Sequence, residues 1–99
     1  MHYETSAEGV LTVFAEGDID ASNTNDIEER VMKELENAKD VIWDFNRLEY
    51  ISSAGLRVLL TVQKHVKQNG HTMVIRGCSE EVNQIFKVTG FVRLLTFEN

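Results

Sequence analysis

Two adjacent hydroxyls, Ser52 and Ser53, stand in the segment Leu48-Glu49-Tyr50-Ile51-Ser52-Ser53-Ala54-Gly55-Leu56-Arg57-Val58, where a strand-like run passes into a helix-like one. At such a junction the first backbone N–H groups lack intrahelical partners, and the helix dipole favours an anion. With Ser53 as the N-cap, Gly55 is the second helical residue. Its missing side chain then leaves the backbone open to a phosphate or to a partner protein. The plainer reading is a serine cap followed by a first turn of small residues, which many helices have.

Other chemistry is sparse. His2, His65 and His71 are scattered singly, so no pair lies at metal-ligand spacing and no metal site is expected. A Gly-x-Ser-x-Gly elbow is absent, which removes the usual setting for a hydrolytic serine. A Gly-x-x-x-x-Gly-Lys loop is absent too, so nucleotide binding ranks low. Asp18 and Asp20 could form a carboxylate pair for catalysis or a cation, but a solvated loop or a partner-facing surface suits them better. The one cysteine, Cys78, reads as a small structural residue, and Trp43 reads as core.

The elements that would hold these residues follow from periodicity. Residues 2–6 and 10–15 read as two arms of a hairpin turned at Glu8-Gly9. Residues 17–22 form a polar loop into a first helix, from Thr24 to Ala38, capped by Ser22 or Asn23. In it Ile27, Val31, Leu35 and Ala38 recur at helical spacing on one face. Val41–Phe45 suits a strand buried on both faces for most of its length. A connection at 46–51 then leads to a second helix, which ends near Asn69 with Gly70 as its stop. Thr72–Ile75 is a further strand. Ser79 caps a third helix, Glu80 to Thr89, ended by Gly90, with Val82, Ile85, Phe86 and Val88 as its apolar stripe. The tail at 92–97 suits an edge strand.

The expected architecture is α/β: a single small domain over residues 1–99, with a mixed β-sheet and helices packed against it. Ile27, Val31, Leu35, Trp43, Phe45, Leu59, Val62, Val74 and Phe86 should share its core. Both loops that precede the first two helices should open at the same edge of the sheet. Ten Lys+Arg against sixteen Asp+Glu give a net charge of −6, which argues against nucleic acid and anionic membranes as partners. No apolar run reaches the roughly 18 residues of a membrane span, and a lone cysteine fits a reducing compartment. The cytoplasm is the expected location.

The order of the chain resembles the STAS family, named for sulphate transporters and anti-sigma-factor antagonists. Gly17-Asp18-Ile19-Asp20 is similar to the family's Gly-Glu-Leu-Asp loop. Val41–Phe45 followed by Leu48–Ile51 is similar to the strand and loop before its switch serine. Ser52-Ser53-Ala54-Gly55-Leu56-Arg57-Val58 is similar to its Asp-Ser-Ser-Gly-Leu-Gly-Val. Gly70, the strand at 72–75 and the run from Ile85-Phe86 to Thr89-Gly90-Phe91 match its C-terminal half.

The resemblance implies a non-enzymatic anti-sigma-factor antagonist without a cofactor. When unphosphorylated it would bind an anti-sigma factor that is also a serine kinase, through Asp18, Asp20, Ser52, Gly55 and Arg57. Phosphorylation of Ser53, with Ser52 as the second candidate, would release that partner, and a phosphatase would reset it. The chain departs from the family pattern at Ser52, where Asp is common, at Ala54, where Ser or Thr is common, and at Arg57, where a small residue is usual. Arg57 could steady a phosphate or sit in solvent. The alternative implied by the same family is an interaction subunit of a transporter ATPase or signalling assembly, in which Ser53 is only a cap.

Overall fold

The computed structural model describes residues 1–98. The element order is β1 (His2–Thr5), β2 (Val10–Ile19), α1 (Thr24–Glu34), β3 (Asp40–Ile51), α2 (Ser53–Gln68), β4 (Met73–Arg76), α3 (Glu80–Thr89), a 3₁₀ turn (Phe91–Arg93) and β5 (Phe97–Glu98). The strands lie in sequence order, β1-β2-β3-β4-β5. The first pair is antiparallel, turned at Gly9 with φ +87°, and the other three pairs are parallel. The mixed α/β sheet expected from the sequence is present.

Strand order explains where the helices go. Parallel crossovers are right-handed, and here each one steps the same way across the sheet, so all must return over one face. Leu11, Val13, Val41, Trp43, Phe45, Met73 and Ile75 accordingly point inward and are buried, and the helices cover them with Ile27, Val31, Leu59, Val62, Val82 and Phe86. The alternate residues Val10, Phe14, Ile42 and Val74 are only half-buried. The expectation that β3 is buried on both faces is therefore corrected: a sheet without a reversal in strand order keeps one face free of helices.

Seven of the nine expected core residues are at most 2% exposed. Val74 is an exception because it pairs with Ile42 on the open face. Leu35 is the other: α1 stops at Glu34 rather than Ala38, and Leu35 becomes its half-buried C-cap. The third helix matches its expected bounds, with the Ser79 hydroxyl accepting from Val82 N–H at 3.1 Å and Gly90 left-handed at its end. Val88, expected in the apolar stripe, is 77% exposed instead. The tail is a 3₁₀ turn and then a two-residue strand, parallel to β4.

β2 and β3 run further than the sequence pattern suggests, and this positions the site. On β2 the inward positions keep a period of two through Leu11, Val13, Ala15, Gly17 and Ile19. On β3 the buried residues are Val41, Trp43, Phe45, Leu48 and Ile51, with two gaps of three. The ladder shifts register between Phe14 and Glu16 and again between Gly17 and Asp18, each time taking one extra residue from β3. These bulges carry the pairing to Asp18↔Tyr50 and Ile19↔Ile51. Segments 17–19 and 46–51, expected to be loop and connection, are strand.

Candidate functional site

The carboxyl ends of β2 and β3 meet where α1 and α2 begin. Ser52 N–H donates to the Ile19 carbonyl at 2.9 Å, extending the ladder one step and fixing the two loops side by side. The expected common edge is thus present, and it brings Asp18, Asp20, Ser52 and Ser53 into one neighbourhood.

The first turn of α2 corrects the expected cap. Ser52, extended at φ −86° and ψ 174°, is the N-cap, and its hydroxyl accepts from Gly55 N–H at 3.3 Å. Its carbonyl accepts the first helical bond, from Leu56 N–H at 2.9 Å. Ser53 is consequently the first helical residue rather than the cap. It is exposed, and its hydroxyl makes no hydrogen bond among the described residues, whereas Ser52 is half-buried with its oxygen engaged.

Gly55 is the second correction. It is buried, and a Cβ there would stand 2.6 Å from Ile51 Cγ1 and 2.8 Å from Ile19 Cγ2. The missing side chain lets α2 lie close on the ends of β2 and β3. It does not open the backbone to a phosphate or a partner. Arg57, one turn beyond Ser53, is exposed and makes no ion pair among the described residues.

Asp18 and Asp20 are neighbours with different surroundings. Asp18 is exposed, and its carbonyl accepts from Asn23 Nδ2 at 2.8 Å. Asp20 is half-buried, and its Oδ1 accepts from the Ser22 hydroxyl at 2.6 Å and from Ser22 N–H at 2.9 Å. Those bonds, the hydroxyl's first, hold its carboxyl below the usual carboxylate range. Asn23 occupies the N-cap position of α1 without capping it: its side-chain oxygen turns back to accept from Asp20 N–H at 3.0 Å. The pair does not form a carboxylate dyad, because Asp20 is committed to its loop.

Tyr50 lies in the 46–53 connection expected to face a partner, but the sequence reading does not single it out. It is 48% exposed beside Asp18 in the ladder. With Leu48 and Ile51 both pointing inward, the two residues between them must turn outward, and that spacing is the signal that reveals Glu49 and Tyr50. Among the described residues no three His, Cys, Asp or Glu side chains gather as a metal site, and no helix is long and apolar enough to cross a membrane. Cys78 is half-buried, and burial pushes its thiol up to about 11, far from a reactive thiolate at neutral pH.

The STAS domain model matches residues 5–99. The chain belongs to the STAS domain family. It is 30% identical over 93 residues to BtrV of Bordetella bronchiseptica, named a candidate anti-sigma factor antagonist, covering 93% of this chain and 80% of BtrV. It is 26% identical over 92 residues to the anti-sigma-B factor antagonist of Listeria monocytogenes, covering 90% and 79%. The fold is also that of the anti-sigma factor antagonist SpoIIAA. The unphosphorylated form superposes with a TM-score of 0.85 at 16% identity, covering 99% of this chain and 87% of SpoIIAA. The phosphorylated Bacillus form gives 0.77 at 15% identity, covering 99% and 90%. The resemblance of the sequence to the STAS family is thereby borne out over nearly the whole chain.

Proposed function

We propose that this STAS domain is an anti-sigma-factor antagonist that works as a serine phospho-switch in the cytoplasm. The unphosphorylated chain binds an anti-sigma factor that is also a serine kinase, and so frees a sigma factor. The kinase transfers phosphate from ATP to Ser53, the phosphorylated chain lets go, and a phosphatase resets it. The chain itself catalyses nothing and takes no cofactor. The partner surface is the edge formed by Asp18, the loop held by Asp20, Glu49, Tyr50, Ser52, Ser53 and Arg57. The named relatives support the antagonist role.

The observation that carries this reading is the exposed hydroxyl of Ser53, without a hydrogen bond among the described residues, beside the committed hydroxyl of Ser52. A phosphoacceptor must be reached by a kinase, and Ser53 can be reached without breaking the cap. A phosphate adds about −1.5 to −2 charge at pH 7. The helix end returns about 0.3–1 kcal/mol to the modified monomer. Burying the charge unpaired in an interface costs several kcal/mol, and each 1.4 kcal/mol is tenfold in affinity. Local repulsion suffices to release the partner, and no rearrangement of the fold is required.

The test is incubation with the cognate kinase and ATP, followed by mass spectrometry of the peptide holding both serines. One phosphate on Ser53 is expected. Ser53→Ala should block transfer yet still bind, and Ser53→Asp should bind at least about tenfold more weakly. Transfer lost only in Ser52→Ala would move the site by one residue. Equal binding by wild type and Ser53→Asp would instead favour the constitutive interaction subunit.

A further inference from the structure

Ser53 and Arg57 stand one turn apart on the exposed side of α2. Residues four apart on a helix are neighbours, and long side chains lean back toward the helix N-terminus, so the turn that carries Ser53 is within reach of the Arg57 side chain. The ion pairs of the described residues are His2–Glu4, Arg30–Glu34 and Asp44–Arg76, which leave the Arg57 guanidinium uncommitted. A neutral serine hydroxyl offers it no charge to meet.

We infer that Arg57 is the intramolecular counterion of Ser53 once that residue carries a phosphate. This rests on the reading of Ser53 as the phosphoacceptor. The order is the favourable one, with the anion N-terminal to the cation at a spacing of four. The planar guanidinium fork matches two phosphate oxygens, which a point charge does less well. Phosphorylation then changes the partner surface twice: it adds an anion at position 53 and withdraws a cation at position 57. A switch of this kind uses a residue foreign to the small-residue pattern of the family motif.

The pairing has a direct readout in the second ionisation of the phosphate, which lies near pH 6 for a free group. Asp18 on β2 and Asp20 just after it, Asp26 in the first turn of α1, Arg47, Glu49 and Tyr50 on β3, and Glu80 and Glu81 in the first turn of α3 are the other charged or titratable groups around this end of the sheet among the described residues. They act on every variant alike, so a comparison of variants isolates Arg57. Phosphoserine installed at position 53 during translation needs no kinase, and its phosphorus-31 shift can be followed from about pH 4.5 to 8. The second pKa should lie about half a unit higher in Arg57→Ala than in wild type. Arg57→Lys should fall between them, and the gap should shrink in about 0.5 M salt. Lys64→Ala, further along the same helix, should titrate as wild type. Coincident curves for wild type and Arg57→Ala overturn the pairing, as does an equal rise in Lys64→Ala, which would mark a diffuse field. A kinase that fails to modify Ser53 counts against the proposed function alone and leaves this measurement intact.

Discussion

Ser52 and Ser53 are chemically identical neighbours that the helix start makes unlike. One oxygen closes a cap on Gly55 N–H; the other faces water. Ser52→Ala should therefore lower stability by about 1 kcal/mol in denaturant melts, and Ser53→Ala should change it by less than about 0.5 kcal/mol. The reverse ranking would mean that Ser53 is the cap. Gly55 makes a sharper test, because Ile51 and Ile19 leave no room for a methyl group. Gly55→Ala should cost about 1–3 kcal/mol as α2 is pushed off the strand ends. Of the two aspartates, Asp18 is the cleaner probe of partner contact. Charge reversal at Asp20 removes the Ser22 bonds and disturbs the loop even without a partner.

The elements differ in how plainly the sequence announces them. α3 is bracketed by a capping serine and a left-handed glycine, and both ends fall where those residues place them. α1 has no such glycine, so its apolar spacing runs on past Glu34 although the helix does not. β3 is the instructive failure. Its two bulges turn alternation into gaps of three, a pattern that reads as the end of a strand rather than its continuation. With the bulges went the outward turn of Tyr50 and the burial of Gly55, since both depend on where Ile51 lands. β3 also carries Asp44 on the open face, opposite Arg76 in the ladder. Partial burial works to raise its carboxyl, but bonds from Asn46 N–H, the Asn46 side chain and Arg76 outweigh it and hold the pKa below the usual range. A lowered folded pKa means stability present above the unfolded value of about 4 and lost as pH falls through the folded one. Wild type should exceed Asp44→Asn in stability at pH 7, with the gap closing below about pH 4. A gap that persists at low pH would assign the effect to packing instead of charge.

At the scale of the molecule, one rule decides the layout: strands laid down in sequence order with crossovers of one hand leave a one-sided sheet. Core membership was therefore legible from apolar spacing, while the free face was not, because Val74 and Ile42 look as apolar as their inward neighbours. The charge is one-sided along the chain as well. Residues 1–52 hold thirteen of the sixteen carboxylates and four of the ten Lys and Arg. The proposed partner edge takes Asp18, Asp20 and Glu49 from that acidic half and receives Arg57 from the other. A partner that docks here meets mostly negative charge, so its own surface should be cationic, and attraction should act before contact. The association rate with the cognate anti-sigma factor should fall by about tenfold or more between roughly 50 and 500 mM salt. In stopped-flow measurements Asp18→Asn should flatten that dependence, because Asp18 is exposed and its carboxylate makes no hydrogen bond or ion pair among the described residues. The dissociation rate should change far less. An association rate indifferent to salt would mean that the partner meets this edge through the exposed ring of Tyr50 rather than through the charges around it.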